Sequence, residues 1–305
     1  MFEAFYGLAR PPFTLTPDAR FTFGSIGHTR AMAHLAYGLS QREGFIVITG
    51  DIGAGKTMLV ERLQAQLDRQ AHCIARVATT QVSADDLLRL VASGFGLDAP
   101  GADKATLLGQ FERRLRDQQH QGRHCLLVID EAQNLPFPAV EELRMLANIS
   151  MAGKAAMQVV LLGQPHFRAA LDADAWTQLR QRIVASCHLG PLDQAETGAY
   201  VTHRLRVAGW DGDPAWDEDA FAAVHRHAGG IPRRINTLCA RVLLLGALDA
   251  THRITAAMVD ATAEELERDL TAGAPDITGQ ILQQPTSRPV QPTLRLQGAP
   301  VMGDA

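Results

Sequence analysis

The chain has 305 residues, a net charge of -4 and an apolar fraction of 46%, which is ordinary for a globular protein with two domains, or with one domain and an appendage. The acidic balance gives no sign of a basic nucleic-acid-binding surface. The four cysteines form no Cys-x-x-Cys pair, so neither a zinc site nor a disulfide framework is indicated, and we expect reduced thiols in a cytoplasmic protein. The N-terminus lacks the apolar core of a signal peptide, and the apolar run at residues 242–248 is too short to span a bilayer.

The first 26 residues are rich in aromatic residues, Pro and Gly, and we expect an ordered arm with little regular structure. Two interpretations of this arm are open: a hydrophobic strap packed over a sheet edge, or one wall of a ligand pocket. Residues 28–41 then carry apolar side chains at helical spacing and predict a helix. We expect His28 and His34 of this helix at the surface or at an interface, rather than as metal ligands.

A phosphate-binding loop is indicated next. The apolar run at residues 45–48 is bounded by glycines and predicts a buried strand, whereas Leu59 and Leu63 recur at helical spacing. Between the strand and the helix, residues 50–57 read Gly-Asp-Ile-Gly-Ala-Gly-Lys-Thr, which fits G-x-x-x-x-G-K-[ST]. A strand before this motif and a helix after it are the context that the motif requires.

The residue types of this loop suit a nucleoside triphosphate. Its three glycines allow backbone N–H groups to converge on phosphate oxygens, and the helix N-terminus adds partial positive charge. Lys56 can reach the β- and γ-phosphates, and the Thr57 hydroxyl can ligate Mg²⁺. An arm that walls this pocket would face the adenine of ATP. The expected ATP-binding residues are Gly50, Asp51, Ile52, Gly53, Ala54, Gly55, Lys56, Thr57 and Met58.

An acidic motif follows after a predicted strand at residues 73–79 and two predicted helices. The sequence Leu-Leu-Val-Ile-Asp-Glu at residues 126–131 indicates a buried strand that delivers two carboxylates to its C-terminal edge, where open α/β sheets bind ligands. Asp130 suits an Mg²⁺ site, either directly or through a water ligand. Glu131 is the candidate that orients and polarises the attacking water.

Two further segments carry candidate site residues. Residues 157–162 predict a buried strand that ends at Gln164, whose amide could contact the γ-phosphate or the attacking water, or could merely cap the next helix. Residues 183–187 predict the last strand, and Arg180 and Arg182 precede it. These arginines are expected either to cap a helix C-terminus or to act as an arginine finger at a neighbour's nucleotide.

From residue 190 the sequence pattern indicates helices only, one of which opens with Gly-Gly-Ile-Pro-Arg-Arg at residues 229–234. The Pro, Gln, Thr and Gly content of the last residues predicts disorder. We therefore expect an N-terminal arm at 1–26, an α/β nucleotide-binding domain at 27–190, a helical lid at 191–270 and a disordered tail at 271–305.

Taken together, the loop, the acidic strand, the polar strand end, the Leu-Arg-Gln-Arg segment and the Gly-Ile-Pro-Arg helix start resemble an AAA+ ATPase. More narrowly, Phe-Tyr-Gly-Leu, Pro-Pro-Phe, Thr-Pro-Asp, Gly-Gln-Pro and Gly-Gly-Ile-Pro-Arg-Arg-Ile-Asn resemble the general secretion pathway protein A (ExeA-type) family. Within it, the likeness is to ATPases that accompany exosortase/PEP-CTERM exopolysaccharide systems. The resemblance covers residues 1–268 and implies the α/β P-loop NTPase fold of AAA+ proteins, with a five-stranded parallel sheet and a C-terminal all-helical lid.

The resemblance also implies roles by motif position. Gln164 corresponds to sensor 1, which is commonly Asn in AAA+ proteins. Arg182 corresponds to the arginine finger, with Arg180 as the alternative, and Arg233 corresponds to sensor 2. Secretion-pathway members also carry a membrane helix and a peptidoglycan-binding domain after the ATPase part. Neither pattern occurs in these 305 residues, which weakens the expectation of work across the cell envelope.

The sequence thus predicts a homo-oligomeric ATPase that uses ATP and Mg²⁺, in the cytoplasm or peripherally at the inner membrane. Its expected partners belong to a membrane-associated secretion or polysaccharide-export system. The alternative is a DNA-binding ATPase resembling transposition helper proteins, which the acidic balance does not favour. A nucleotide switch with negligible turnover is disfavoured by Glu131. The expected catalytic residues are Lys56, Glu131, Gln164, Arg182 and Arg233.

Overall fold

The computed structural model describes residues 2–16, 18–78, 81–97, 101–151 and 153–272. The chain divides into two units, Met1–Glu264 and Glu265–Ala305. The described part of the second unit is the end of the last helix, which reaches Ala272. The predicted disordered tail lies outside the described residues, except for its first two residues, which belong to this helix.

Nine strands are present among the described residues, and five of them form the main sheet. In chain order the strands are β1 (Phe45–Gly50), β2 (His72–Val77), β3 (His124–Ile129), β4 (Ser150–Met151), β5 (Lys154–Ala155), β6 (Met157–Gly163), β7 (Ile183–Leu189), β8 (Ala215–Trp216) and β9 (Arg253–Ile254). The main sheet has the order β2-β3-β6-β1-β7, and all of its strand pairs are parallel. The predicted five-stranded parallel sheet is confirmed.

Helices surround the sheet and make up most of the C-terminal part. They are α1 (Phe2–Phe5), α2 (Ile26–Gln41), α3 (Lys56–Gln66), α4 (Ala84–Gly94), α5 (Lys104–His120), α6 (Phe137–Ala147), α7 (Pro165–Leu171), α8 (Thr177–Arg180), α9 (Gln194–Val207), α10 (Glu218–Ala228), α11 (Pro232–Leu248) and α12 (Ala256–Ala272). Four of these helices begin with a side chain that accepts a hydrogen bond from a backbone N–H group of the first turn. These N-cap residues are Ser25 of α2, Ser83 of α4, Asp103 of α5 and Asp193 of α9. Each cap of this kind stabilises a helix by about 1 kcal/mol, which explains why these helices begin there.

The central strands are covered on both faces, as parallel sheets generally are. Every residue of β1, β3 and β6 is buried, and alternate residues enter two separate hydrophobic clusters. Phe45 and Val47 pack into the cluster formed with α4, α5 and α6, whereas Ile46 and Ile48 pack into the cluster formed with α2 and α3. This two-sided burial explains the continuous apolar runs of these strands, and it fixes the polar residues that follow them at the C-terminal edge of the sheet.

The C-terminal part is helical as predicted, with one addition. The short strands β8 and β9 pair in parallel, through hydrogen bonds from Ala215 N to His252 O (2.8 Å) and from Asp217 N to Ile254 O (3.0 Å). Within the described residues, no helix has both the length and the apolar content needed to cross a bilayer.

The N-terminal arm contains α1 and a short 3₁₀ turn at Ala19–Phe21. The Tyr6 hydroxyl donates to Thr251 O (3.1 Å), and Ala9 N donates to Ala208 O (2.8 Å). The arm is therefore hydrogen-bonded to the helical C-terminal part, and this differs from a strap packed over the sheet edge.

Candidate functional site

The predicted phosphate-binding loop connects the C-terminal end of β1 to the N-terminus of α3. Gly53 and Gly55 have φ angles of 85° and 100°, which L side chains rarely adopt. A Cβ atom at Gly53 would clash with Arg233 Cβ, and one at Gly55 would lie 2.7 Å from His28 Nε2. The glycine spacing of the loop is thus required both by backbone conformation and by the close approach of α11 and α2.

Lys56 is the first residue of α3, and its residue exposure is only 7%. Its ammonium donates to Gly50 O (2.7 Å) and Asp51 O (3.0 Å). Burial lowers the pKa of Lys56 below its ordinary value, and the negative charges of Glu131 and Asp130 oppose that shift. An anionic ligand such as a phosphate would stabilise the positive charge of this buried ammonium.

Thr57 and Asp130 form the oxygen-rich part of the site. The Thr57 hydroxyl donates to Asp130 Oδ2 (3.2 Å), and Arg76 Nη2 donates to the same oxygen (3.0 Å). Arg76 also lies 3.7 Å from Glu61 Oε1. A hydroxyl and one carboxylate, completed by substrate phosphates and water, are a donor set that suits Mg²⁺. Arg76 was not singled out from the sequence, because its position beside Asp130 depends on the pairing of β2 with β3.

Glu131 follows Asp130 at the end of β3 and has a left-handed backbone conformation (φ 51°). Its backbone N–H donates to Asp130 Oδ1 (3.0 Å). Its Oε2 accepts hydrogen bonds from Gln133 Nε2 (2.5 Å) and from Gln164 Nε2 (3.1 Å). Two side-chain amides therefore hold this carboxylate at the edge of the sheet.

Gln164 is the N-cap residue of α7, but its side chain makes no capping hydrogen bond. Instead the side chain contacts Glu131, and Gln164 N donates to Gln133 Oε1 (3.0 Å). The side chain of Gln164 therefore does not cap α7, and its amide contacts Glu131; contact with a γ-phosphate or an attacking water stays a prediction.

Arg233 is exposed and begins α11 together with Pro232. Its backbone N–H donates to Gly53 O (3.3 Å), so the helix is attached directly to the loop. A cavity of about 360 Å³ opens beside this contact, within the roughly 300–1,000 Å³ typical of ligand pockets. Arg233, Lys56, Thr57, Asp130 and Glu131 all line it.

The arm and α9 supply much of the remaining wall of this cavity. Helices α2, α9 and α11 also contribute lining residues, and of these only Arg233 was predicted as a site residue. His28 was expected at the surface or at an interface. The lining side chains of these helices are brought inward by helix packing, which no short motif signals. The lining residues outside the loop and the acidic motif include Leu15, Thr16, Phe21, Phe23, His28, Tyr200, Arg204 and Asn236.

Arg182 lies apart from the other predicted catalytic residues. Its carbonyl accepts from Phe45 N (2.9 Å) at the start of β1, whereas the loop follows the end of that six-residue strand. The strand separates the two by roughly 17 Å, at about 3.3 Å per residue. Arg180 Nη1 donates to Leu171 O (3.4 Å) and Asp172 O (3.0 Å). The exposed Arg182 guanidinium has no hydrogen-bond or ion-pair partner in the described part of the chain.

Comparison with known proteins shows similarity to an AAA domain and to general secretion pathway protein A. Residues 39–171 match the family model of an AAA domain. The chain is 36% identical over 267 residues to the general secretion pathway protein A of Aeromonas hydrophila, an alignment that covers 87% of this chain and 48% of that protein. The chain thus spans about half the length of the curated relative that it matches.

Three solved structures have similar folds. Cdc6p from Pyrobaculum aerophilum has a TM-score of 0.66 at 15% identity and covers 85% of this chain and 75% of its own. The Aeropyrum pernix ORC1 protein in complex with DNA has a TM-score of 0.61 at 17% identity, with coverage of 92% and 78%. The RuvB Holliday junction branch migration motor of Thermotoga maritima has a TM-score of 0.54 at 17% identity, with coverage of 80% and 70%. The chain therefore contains an AAA domain on the α/β P-loop fold of AAA+ proteins, and over most of its own length it is similar to general secretion pathway protein A.

Proposed function

We propose that the protein binds ATP together with Mg²⁺, hydrolyses it, and couples hydrolysis to movement of its helical lid. One observation carries the proposal: the phosphate-loop threonine and the two strand ends form one hydrogen-bonded chain, from Thr57 through Asp130 and Glu131 to Gln164. The Thr57 hydroxyl and the Asp130 carboxylate suit metal binding, and the Glu131 carboxylate, which Gln164 contacts, suits the activation of water. The arrangement suits phosphoryl transfer, in which catalysis consists mainly of positioning and charge stabilisation.

Binding would use the loop and the base of α3. Lys56 would exchange two carbonyl partners for the β- and γ-phosphate oxygens, which stabilises its buried charge. Thr57 and Asp130 would hold Mg²⁺, which when bound neutralises charge on the β- and γ-phosphates. Asp130 Oδ2 would have to exchange its present donors for this role.

Hydrolysis would use Glu131 as the group that accepts a hydrogen bond from the attacking water. The water oxygen bonds to the γ-phosphorus while the bond from that phosphorus to the β–γ bridging oxygen breaks. The water proton passes to Glu131 and then to the released phosphate, which restores the carboxylate. Gln133 and Gln164 hold the carboxylate in place during these transfers.

Coupling to movement would run through α11. Because Arg233 N is bonded to Gly53 O, and the Arg233 side chain lies at the cavity, loss of the γ-phosphate changes the contacts of the lid. We propose that this movement serves a secretion or exopolysaccharide export system, and that the protein works as a homo-oligomer in the cytoplasm or peripherally at the inner membrane. The similarity to general secretion pathway protein A supports this client class.

The decisive measurement compares ATP binding and phosphate release in the wild-type protein and in Glu131→Gln. We expect ATP to bind both proteins, and turnover to fall by about 10²-fold or more in the variant, as general-base losses do. Glu112→Gln, at an exposed position on α5, is the matched control and should turn over like wild type. If the wild-type protein binds Mg²⁺·ATP but does not hydrolyse it, the proposal is contradicted. A nucleotide switch would then be the better interpretation.

A DNA-coupled ATPase is the second candidate, because one of the structures with a similar fold was solved in complex with DNA. The two candidates are separated by adding duplex DNA or inner-membrane vesicles to the same ATPase assay. Stimulation by membranes supports the export proposal. Stimulation by DNA that disappears steeply with salt would favour the second candidate, because phosphate-backbone contacts release counterions.

A further inference from the structure

The lining of the cavity is of two chemical kinds. At the loop, glycine N–H groups and Lys56 are the groups that a triphosphate needs. Away from the loop sequence, the arm contributes the aromatic side chains of Phe21 and Phe23 to the lining, and α9 contributes Tyr200. If the loop holds phosphates, the aromatic side chains are the part of the lining that suits the nucleobase, since planar bases pack well on aromatic side chains.

Arg204 of α9 also lines the cavity, next to the Phe21 ring, and is only 7% exposed. Its guanidinium carbon lies 4.6 Å from the centre of the Phe21 ring, in the geometry of a cation–π contact. Its Nε donates to Pro12 O (2.6 Å), and Nη2 donates to Thr14 O (3.4 Å). One buried side chain therefore holds both the backbone and an aromatic ring of the arm.

A second connection supports the same part of the arm. Asn236 Nδ2 of α11 donates to Thr14 O (3.2 Å), and the Tyr200 hydroxyl donates to Asn236 Oδ1 (2.9 Å). Arg204 Nη1 donates to that hydroxyl (3.0 Å), which closes the network. Among the described residues, no carboxylate lies within ion-pair distance of Arg204. Its charge is balanced by carbonyls, a hydroxyl and a ring, so its role depends on the arm being in place.

We propose that Arg204 is the positioning residue for the nucleobase, because it fixes the arm to the lid. The wall that faces the base is then held by α9, and Arg233, which faces the phosphates, is held by α11. This inference rests on the proposed ATP binding. It has a mechanical consequence, because any movement of α9 and α11 then displaces the contacts at both ends of the nucleotide together. Exchange of the nucleotide would accordingly require the arm and the lid to move as one body.

The test measures the affinities of ATP and of inorganic tripolyphosphate for each protein by calorimetry. In Arg204→Gln we expect the ATP affinity to fall by about tenfold and the tripolyphosphate affinity to change by less than about twofold, because only ATP uses the arm. Arg206 is an exposed residue two positions after Arg204 on the same helix, and Arg206→Gln should bind both ligands like wild type. A merely structural role for Arg204 would lower both affinities together, which would overturn the proposal.

Phe21→Leu provides an independent variant if Arg204→Gln does not fold, since it removes the ring under the guanidinium but keeps an apolar side chain. It should show the same selective loss of ATP affinity, and an unchanged ATP affinity would overturn the proposal. Wild-type protein that binds tripolyphosphate as tightly as ATP would overturn it as well, while leaving the phosphate loop intact. Wild-type protein that binds neither ligand would contradict the proposed function and this inference together.

Discussion

The side-chain amide of Gln164 donates to the Glu131 carboxylate across 3.1 Å, and this bond joins the ends of two adjacent strands, β6 and β3. Gln133 donates to the same carboxylate oxygen. Glu131 is thus oriented by two amides before any ligand is considered. An activating carboxylate needs this kind of fixed geometry, because small displacements of a general base lower the rate of proton transfer.

Gln164→Ala should therefore slow ATP hydrolysis while leaving ATP affinity close to wild type. We expect a loss of about 10-fold to 100-fold in turnover, smaller than for loss of the carboxylate itself, because Gln133 still holds Glu131. Steady-state phosphate release and ATP binding by calorimetry separate the two effects. Gln178→Ala, at an exposed position on α8, is the control. A loss of ATP affinity that matches the loss of turnover would place Gln164 in ground-state binding instead.

Lys56→Ala should abolish tight ATP binding, because it removes the ammonium that the proposed phosphate-binding loop would bring to the β- and γ-phosphates. Calorimetry with Mg²⁺·ATP measures this directly. Lys154→Ala removes an exposed ammonium from β5 and should have no effect on affinity. Unchanged ATP affinity in Lys56→Ala would contradict the assignment of residues 50–57 as the phosphate-binding loop.

Arg76→Gln should lower the Mg²⁺ concentration needed for half-maximal ATP binding. Its guanidinium contacts the Asp130 oxygen that the proposed metal site would use, so it would compete with Mg²⁺ for that oxygen and repel the metal ion at short range. We expect a shift of about threefold to tenfold, since two charges near a protein surface interact by a few kcal/mol at most and solvent screens part of this.

The measurement for Arg76 is a Mg²⁺ titration of ATP affinity, so it does not depend on turnover. Arg89→Gln, at an exposed position on α4, should leave the titration unchanged. A higher Mg²⁺ requirement in Arg76→Gln would show that Arg76 holds Asp130 in a metal-binding orientation and does not compete with the metal.

Features encoded by contiguous residues were predictable from the sequence. The runs at β1, β3 and β6 are continuously apolar because both faces of these strands are buried, and each run is followed directly by polar residues. Parallel pairing then brings the ends of these strands to one edge, so the proximity of the loop to Asp130 could be expected. The individual strands are predicted from such runs, whereas one five-stranded parallel sheet is implied by the family resemblance, and the structure confirms it.

Features that depend on distant segments were not predictable. Arg204 and Phe21 are 183 positions apart, and each residue alone suggests only a helix and an aromatic arm. Arg76 has the same difficulty, because only the strand order places it beside Asp130. The two-residue strands β8 and β9 are too short for any alternation pattern to indicate them.

Arg182→Ala tests whether catalysis requires a second copy of the chain. Arg182 lies at the start of β7, at the edge of the sheet opposite to its own loop, so an action on its own nucleotide would need a reach of roughly 17 Å. If Arg182 is an arginine finger, it acts on a neighbour. The variant should then bind ATP normally, assemble normally and hydrolyse ATP about 10³-fold more slowly.

Mixing the variants distinguishes an action between subunits from a local structural role. A subunit with Arg182→Ala retains an intact loop, and a subunit with Lys56→Ala retains an intact arginine, so a mixed assembly contains some complete sites and should recover part of the activity. Arg168→Ala, at an exposed position on α7, is the matched control and should leave turnover near wild type. Arg180→Ala tests the alternative finger, whose guanidinium is held by carbonyls at the end of α7. If mixed assemblies form, as shown by co-purification of two differently tagged variants, and remain inactive, Arg182 does not act on a neighbour. Its charge would then merely favour the C-terminal end of α8, an interaction worth about 0.3–1 kcal/mol of stability and no catalysis.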